Sequence, residues 1–456
     1  MNKTPAKPGK RIAVVGAGIA GLATAWLLSR HHHVVLYEAN NYLGGHTNTV
    51  DVSLDGVTHP VDTGFLVFNH RTYPNLVAMF RHLGVATAAS EMSFAISLGD
   101  AANPGLEWSG CSLGTLFAQK RNLLRPAFWG MLRDIMRFNR AATAMARGGC
   151  GGEQPLAAFL EAGRYGGMFR EAYLLPMLGA IWSCPTETML SYPVATLARF
   201  CDNHGLLQIT NRPQWYTVKG GGREYVKRLA AGIANIRAGE PVIAVASTAE
   251  GVRVATAKGS EQFDEVVMAC HSDQALRLLV QPAEEVRRLL AAVRYQRNRA
   301  VLHTDTSLLP RARKAWAAWN YLAAQASTDR QPVGVSYWLN RLQPLPFTRP
   351  VIATLNPPRE PAAASVIAQF DYEHPVFDLA AIRAQQQLAG VQGRDGVWLC
   401  GAWSGYGFHE DGLKSALAVA NAMGIYAPWQ IPAAAAADNT RHVAVPGLAL
   451  GAGIAN

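Results

Sequence analysis

Three glycines near the start of the chain have the spacing of a phosphate-binding turn. The loop Gly16-Ala17-Gly18-Ile19-Ala20-Gly21 follows four apolar residues, 12–15, and precedes a stretch with helical periodicity. This order predicts a strand, a tight turn and a helix. Gly16 permits the turn, Gly18 lets backbone N–H groups approach a pyrophosphate, and Gly21 lets the helix pack closely on the strand. The N-terminus of the helix then faces the phosphate charge.

An acidic residue follows where such a fold needs one. Residues 34–37 predict a second strand, and Glu38 stands directly after it. A carboxylate at this position accepts hydrogen bonds from a ribose hydroxyl pair and repels a 2′-phosphate. Strand, glycine turn, helix, second strand and acid together predict a dinucleotide-binding domain.

The residues after Glu38 indicate which dinucleotide is bound. Glu38-Ala39 is followed by Gly44-Gly45-His46, so a second glycine pair is available where the chain returns to the pyrophosphate. This pattern resembles the FAD signature of the flavin amine oxidase and phytoene desaturase superfamily. The resemblance implies FAD as the cofactor. Cys400 precedes Gly401 on a predicted strand, which indicates a core thiol and not a flavin attachment, so we expect FAD to be held without a covalent link. The superfamily usually has arginine where this chain has His46, so an ionic contact to the phosphates is not implied.

The resemblance covers residues 11–422 and implies further contacts to FAD. In the superfamily, one backbone segment passes along the flavin ring and ribityl chain, a later strand meets the adenine, and a C-terminal strand and helix reach the flavin. Carried over by position, the corresponding residues are Thr63, Gly64, Phe65 and Leu66, then Val242, and finally Gly401, Ala402, Trp403, Gly412 and Leu413.

The order of segments predicts an α/β fold, with a Rossmann-like FAD-binding domain and an interleaved α+β substrate domain. The expected segments are 1–72, 205–280 and 395–428 for the FAD-binding domain, 73–204 for a helical substrate domain, 281–394 for an antiparallel substrate-domain sheet, and 429–456 for a C-terminal tail.

Composition restricts the partners of the chain. Of its 456 residues, 49% are hydrophobic and 16% are charged, which excludes a disordered chain and leaves few charges for the surface. The formal net charge of +10 favours an anionic partner, but no basic run is interleaved with aromatic residues as a nucleic-acid groove requires. We therefore expect an anionic membrane surface and no nucleic acid.

Signals for export and for metal binding are weak. Six scattered cysteines without a CxxC pair are typical of reduced core thiols in a cytoplasmic protein. Residues 1–10 are basic but lack the apolar centre of a signal peptide, and no apolar run is long enough to span a membrane. His31-His32-His33 are consecutive and do not converge on one ion, so no metal site is predicted. We expect a cytoplasmic protein, peripheral on the inner face of the cell membrane.

Residues 120–140 combine two kinds of side chain at roughly helical spacing. The apolar set is Leu123, Leu124, Phe128, Trp129, Leu132, Ile135, Met136 and Phe138, and the basic set is Arg121, Arg125, Arg133, Arg137 and Arg140. Basic residues beside an apolar face with tryptophan and phenylalanine are typical of a helix in a membrane interface. The alternative is an amphipathic helix that covers the protein's own core.

Four C-terminal motifs carry a narrower resemblance. They are Tyr337-Trp338-Leu339-Asn340-Arg341-Leu342-Gln343, Thr354-Leu355-Asn356-Pro357, Tyr372-Glu373-His374-Pro375 and Gly407-Phe408-His409-Glu410-Asp411-Gly412. They resemble a bacterial subgroup of FAD-binding oxidoreductases that occur with methyltransferases resembling cyclopropane fatty acid synthase. This resemblance implies a lipid methyltransferase as partner. It also implies desaturation of methylated, unsaturated acyl chains of membrane lipids by hydride transfer to flavin N5.

Removal of a hydride from one carbon requires removal of a proton from its neighbour. Tyr372, His374 and His409 are the catalytic candidates, because the resemblance places their motifs beside the flavin ring and their side chains can accept or relay a proton. The alternative for residues 372–375 is a structural turn.

Two other functions remain open at this point. An amine or a carotenoid-like polyene is an alternative substrate, although the chain has no lysine between Lys314 and Lys414, where amine oxidases usually carry one near N5. The second alternative is a non-catalytic flavin-binding partner of a lipid methyltransferase.

Overall fold

Strands and helices alternate along the chain in a mixed α/β fold. A computed structural model describes residues 9–99, 104–148, 154–182, 186–208, 212–323 and 334–430. The strands in these ranges are β1 (Arg11–Val15), β2 (His33–Glu38), β3 (Thr49–Leu54), β4 (Val57–Asp62), β5 (Phe68–Asn69), β6 (Thr87–Ser90), β7 (Phe94–Gly99), β8 (Pro104–Ser109), β9 (Trp215–Val218), β10 (Asn235–Ala238), β11 (Val242–Thr248), β12 (Gly251–Thr256), β13 (Gly259–Phe263), β14 (Glu265–Met268), β15 (Arg294–His303), β16 (Trp319–Ala323), β17 (Gly334–Trp338), β18 (Ile352–Leu355), β19 (Val366–Val376) and β20 (Val397–Leu399). The α-helices are α1 (Ile19–Leu28), α2 (Pro74–His82), α3 (Leu113–Leu116), α4 (Pro126–Gly148), α5 (Leu156–Ala162), α6 (Gly167–Phe169), α7 (Leu175–Trp182), α8 (Thr186–Leu190), α9 (Val194–Asn203), α10 (Arg223–Ala230), α11 (Ser272–Leu278), α12 (Glu284–Ala291), α13 (Leu339–Leu342), α14 (Leu379–Gln387) and α15 (His409–Ala422).

A five-stranded parallel sheet positions the predicted phosphate loop. Its order is β10-β2-β1-β14-β20, so its strands come from three distant stretches of chain. β1 pairs with both β2 and β14, which aligns Val15 with Tyr37 and Met268 at the carboxyl edge. Residues 12–14 have no exposed surface, as expected for a central parallel strand. The predicted strand, glycine turn, helix and second strand are confirmed by β1, α1 and β2.

A seven-stranded sheet forms the other half of the fold. Its order is β19-β15-β18-β17-β16-β7-β8, and its pairs are antiparallel except for the parallel pair of β16 with β7. The prediction of a helical segment over 73–204 needs a correction here, because β6, β7 and β8 lie within it. β7 pairs with β16, more than 200 residues away along the chain, and β8 pairs with β7 to complete the sheet. Such long-range pairing leaves no signal in local helical periodicity.

Helix α4 carries two different faces. Phe128, Met131 and Phe138 are buried in the core, whereas Trp129 and Met136 are about half exposed. The apolar side chains that were expected to share one face therefore divide between the core and the solvent. Neither α4 nor another helix within the described ranges is long and apolar enough to cross a membrane.

The cysteines differ in their surroundings. Cys201 and Cys400 are buried, but Cys111 is exposed because it follows the edge strand β8. The prediction that the cysteines are core thiols is therefore wrong for Cys111. Cys150 and Cys184 lie outside the described residues.

Helix α15 begins at His409, before the start near Gly412 that the sequence predicts. Its first turn starts early because the Asp411 carboxylate accepts the backbone N–H of Phe408 at 3.1 Å. Glu410, in the same turn, is buried and accepts the N–H groups of Asn75 and Leu76 at 3.1 and 3.0 Å. Glu410 thus caps α2 and joins it to α15.

Replacement of Glu410 by alanine would leave the first N–H groups of α2 without partners inside the protein. We expect Glu410→Ala to lower the free energy of unfolding by about 2–4 kcal/mol, observed as a lower Tm. Glu250→Ala, at an exposed carboxylate, is the matched control. Equal Tm values for the two variants would contradict the capping role.

Candidate active site

A cavity of about 1360 Å³ lies between the two large sheets. Val15, Tyr37 and Ala269 line it at the carboxyl edge of β1, β2 and β14. Trp319 and Tyr337 line it from β16 and β17. Ligands of open α/β sheets bind outside the carboxyl ends of the strands, so the cavity lies where a dinucleotide is expected.

The glycine loop leaves open space at the start of α1. Gly16 has φ of +102°, a conformation that favours glycine. A Cβ atom at Gly21 would lie 1.8 Å from the Gly16 carbonyl oxygen, so α1 packs against the loop only with glycine there. A Cβ atom at Gly18 would meet no atom within 4 Å, and Gly18 lines the cavity. Gly21 therefore serves packing, whereas Gly18 leaves room for a ligand.

The second glycine pair lies against the first loop. The Gly44 N–H donates to the Ala17 carbonyl at 2.8 Å, and both Gly44 and Gly45 have positive φ. The Glu38 carboxylate is buried, and it accepts the N–H groups of Ala17 and Asn40 at 2.8 and 2.9 Å. These bonds hold the carboxylate beside both glycine segments at the cavity wall.

His46 lies at the centre of a group of aromatic rings. Its ring stacks on Tyr372 at a centroid distance of 5.2 Å, and the rings of His374 and His271 lie 5.3 and 6.1 Å away. Burial and then the neighbouring histidines lower the pKa of His46 well below its ordinary value. Its Nε2 atom is buried and has no hydrogen-bond partner among the described residues. His46 is therefore a neutral ring with one unsatisfied polar atom, and it does not supply the positive charge of an arginine.

Tyr372 lies within β19, so the structural turn considered for residues 372–375 is not present. Its hydroxyl oxygen accepts the Asn48 side-chain amide at 3.1 Å and lies 2.8 Å from Thr63 Oγ1. Thr63 Oγ1 donates to the Asn48 carbonyl at 3.0 Å, so the Tyr372 hydroxyl is the donor to Thr63. Burial raises the pKa of Tyr372 to about 12, which keeps the phenol neutral at pH 7.

Two side-chain amides, those of Asn298 and Asn356, orient the ring of His374. Its Nδ1 accepts the Asn298 side-chain N–H at 3.0 Å, and the Asn356 side chain donates to the Asn298 oxygen at 2.7 Å. Because Nδ1 is an acceptor, the proton of the neutral ring is on Nε2. Burial lowers the pKa of His374 to about 4.

His409, the first residue of α15, stacks on Phe65 at a centroid distance of 3.8 Å. Its Nε2 lies 2.7 Å from Thr47 Oγ1 and 3.2 Å from the Tyr225 hydroxyl. Burial lowers the pKa of His409 to about 3. The three predicted catalytic residues therefore all line the cavity, and all three are neutral at pH 7.

Comparison with known proteins decides the family. Residues 19–305 match the family described as flavin-containing amine oxidoreductase. The chain belongs to this family. A stretch of 75 residues is 40% identical to the zeta-carotene desaturase of Synechocystis sp., and it spans 16% of this chain and 14% of that protein.

Solved structures show the same fold over nearly the whole chain. The CLA-producing fatty acid isomerase from P. acnes has a TM-score of 0.60 and 12% identity, over 91% of this chain and 99% of that chain. Cyclohexylamine oxidase from Brevibacterium oxydans IH-35A has a TM-score of 0.64 and 16% identity, over 91% of this chain and all of that chain. Wild-type putrescine oxidase bound to putrescine has a TM-score of 0.64 and 14% identity, over 91% of this chain and 99% of that chain.

As a flavin amine oxidoreductase family member, the chain is an FAD-dependent oxidoreductase, and the cavity fits the cofactor. Two features suit a phosphate group: the open space beside Gly18 and the N-terminus of α1. Glu38 offers the acceptor for a ribose. These residues would hold FAD by hydrogen bonds and shape, without a cation at His46.

Most of the predicted cofactor-binding residues line the cavity. They are Gly16, Ala17, Gly18, Ile19, Ala20, Glu38, Ala39, Gly44, Gly45, His46, Thr63, Gly64, Phe65, Leu66, Val242, Gly401, Ala402 and Trp403. Gly21, Gly412 and Leu413 do not line it. The expectation for Gly412 and Leu413 is corrected because α15 starts earlier. A Cβ at Gly412 would lie 2.8 Å from Ile19, and Leu413 has no exposed surface.

The sequence patterns did not identify Cys270, His271 and Tyr295 as residues of the cavity wall. Cys270 and His271 follow β14 after Ala269, and Tyr295 stacks on His271 at 4.4 Å. A strand before residue 270 is visible in the sequence, and residues after parallel strands face the ligand. The missing information was that β14 lies next to β1, which only the sheet order supplies.

Gly18→Val tests the assignment of the phosphate loop. The φ of Gly18 is −70°, so valine adopts this backbone without strain and its side chain occupies the open space instead. We expect a folded variant that purifies without stoichiometric FAD, measured as flavin absorbance per protein. Gly167→Val, at another open glycine, should retain FAD. Full flavin content in Gly18→Val would refute the assignment.

The low pKa of His409 predicts a pH dependence of stability. An unfolded histidine titrates near 6.5, so between pH 6.5 and 3 the unfolded state binds one more proton at this residue. The stability that the neutral ring contributes is complete above pH 6.5 and is lost as pH falls towards 3. From pH 7.5 to 5, wild type should therefore lose up to about 2 kcal/mol more than His409→Gln. Parallel Tm curves for both proteins would contradict the prediction.

Proposed function

We propose that this FAD-dependent oxidoreductase desaturates unsaturated acyl chains of membrane lipids, preferably chains with a methyl branch beside the double bond. The observation that supports the proposal is the number of large apolar side chains on the cavity wall. They include Ile96, Trp108, Met177, Ile181, Leu206 and Trp215. Such a lining suits a long hydrocarbon chain. Two similar proteins, the fatty acid isomerase and the zeta-carotene desaturase, are named for long apolar substrates.

Amine oxidation is the second candidate, because cyclohexylamine oxidase has the same fold. Two features of the cavity disfavour it. No lysine lines the cavity within the described ranges. Glu91, an acidic residue on the cavity wall, lies 2.6 Å from Arg341 and accepts the Ser93 hydroxyl. Its charge is already compensated, so it is poorly suited to select an ammonium group.

The proposed chemistry divides between the cofactor and the chain. FAD, when bound, supplies the acceptor for a hydride from a carbon whose positive charge is spread by a double bond or branch. The chain must then take a proton from the adjacent carbon. His409 is a neutral imidazole on the cavity wall, and its Nδ1 provides the acceptor when Nε2–H donates to Thr47 Oγ1. Its low pKa makes it a weak base, which is sufficient for a C–H bond next to a developing cation. His374 also lines the cavity, but its Nδ1 already accepts the Asn298 amide and its Nε2 carries the proton, so it suits a positioning role.

Tyr372 fits a positioning role better than that of a base. Its proton is directed to Thr63, and its oxygen already accepts the Asn48 amide. His409 also stands at the N-terminus of α15, where the helix dipole stabilises negative charge in the adjacent cavity.

Variants of these residues test the proposal. Under anaerobic conditions, methylated unsaturated phospholipid should reduce the flavin of wild type, whereas saturated phospholipid should not. His409→Gln should retain FAD and slow this reduction by about a hundredfold, the usual contribution of a general base. Tyr372→Phe should retain FAD and slow it less. Tyr426→Phe, at an exposed tyrosine, is the control. The measurement is the decay of flavin absorbance.

Two results would redirect the proposal. Rapid flavin reduction by simple amines, with no response to any lipid, would favour amine oxidation. A flavin that stays oxidised with every lipid and amine would favour a non-catalytic partner of a lipid methyltransferase.

A further inference from the structure

Large apolar side chains on the surface are concentrated in one short segment. Ten are exposed in the described part of the chain, and five of them lie between residues 113 and 136: Leu113, Leu123, Leu124, Trp129 and Met136. Leu124 is 87% exposed and Leu113 is 76% exposed. Single exposed apolar residues are ordinary, but a group of this size marks an interaction surface.

Contacts join the elements that carry these side chains. The Trp129 indole N–H donates to the Leu123 carbonyl at 3.0 Å, and its ring lies 5.6 Å from that of Phe117. These contacts join α3, the 3₁₀ turn Lys120–Leu124 and the start of α4. Trp129, Arg133, Met136 and Arg140 continue the surface along one stripe of α4, at i, i+4, i+7 and i+11. We name this surface the 113–140 face.

The charge of the 113–140 face has one sign. Residues 111–148 contain seven basic side chains and one acidic side chain, Asp134. Asp134 is buried and lies 2.7 Å from Arg137 and 3.9 Å from Arg133, so it does not offset the charges of Lys120, Arg125 and Arg140. Within the described ranges Lys120, Arg125 and Arg140 make no ion pair. Exposed leucine and tryptophan beside uncompensated cations are complementary to an anionic lipid surface.

Part of the cavity wall lies next to the 113–140 face in the sequence. Gly110 and Cys111 both line the cavity and are exposed. We infer that the cavity opens to solvent at this point. Leu113 follows two residues later on the 113–140 face. A lipid acyl chain leaving a bilayer at this face would meet the opening directly.

We propose that the 113–140 face docks on an anionic lipid bilayer, with Leu123, Leu124 and Trp129 inserted at the interface and Lys120, Arg125 and Arg140 at the headgroups. Docking places the opening at Gly110 and Cys111 against the bilayer. The docking step does not depend on the desaturation proposal, because it concerns binding alone.

The test measures binding of the FAD-loaded protein to vesicles by co-flotation, without turnover. Wild type should bind vesicles of phosphatidylcholine mixed with phosphatidylglycerol more tightly than phosphatidylcholine alone. The triple variant Lys120→Glu, Arg125→Glu, Arg140→Glu should bind the mixed vesicles at least about a hundredfold more weakly, since each cation contributes about fivefold. Its matched control is Arg81→Glu, Lys219→Glu, Arg253→Glu, which has the same net charge change at other exposed sites.

A second pair of variants tests insertion. Leu123→Ser, Leu124→Ser, Trp129→Ser should weaken binding to both vesicle types, whereas Val57→Ser, Ile243→Ser, Val280→Ser, at exposed apolar sites elsewhere, should not. Unchanged Tm and flavin content would show that the variants are folded. Equal binding losses in variants and matched controls, or no vesicle binding by wild type, would overturn the proposal. Weak vesicle binding with normal flavin reduction by detergent-dispersed lipid would overturn docking while leaving the proposed function intact.

Discussion

The close packing of α1 is the constraint on which the site depends. Gly21 brings α1 against the Gly16 carbonyl, and Gly412 brings α15 against Ile19 of α1. A Cβ atom at either glycine would separate these elements. Two helix N-termini, those of α1 and α15, therefore border the same cavity. The first suits a phosphate and the second suits negative charge near the reacting group, because the helix dipole is positive at this end.

Burial leaves the groups beside the predicted flavin position uncharged. His46, His374 and His409 have lowered pKa values and Tyr372 has a raised one, mainly because burial penalises the charged form in each case. Specific hydrogen bonds to Asn298, Thr47 and Thr63 orient three of these rings. Uncharged rings at this position are compatible with the apolar substrate proposed above.

Helix α4 shows why one amphipathic pattern supported two hypotheses. The sequence pattern shows helical spacing of Phe128, Trp129, Met136 and Phe138. It does not show which of these side chains contact the rest of the protein and which contact solvent. The fold packs Phe128 and Phe138 into the core and leaves Trp129 and Met136 in solvent. Helix α4 therefore packs on the core with one face and exposes a basic, apolar surface with the other, beside the inferred opening of the cavity.

The sequence by itself determined the FAD-binding half of this protein. Strand, glycine turn, helix and Glu38 are local features, because a few residues in order carry the steric and hydrogen-bonding requirements of the nucleotide turn. Tertiary structure alone decided that β7 and β8 complete a sheet with strands far along the chain, and that His271 lies beside His46. It also decided that Gly412 serves packing and that His409 begins α15. The physical reason is that pairing, burial and pKa depend on neighbours distant in sequence, which local spacing does not encode.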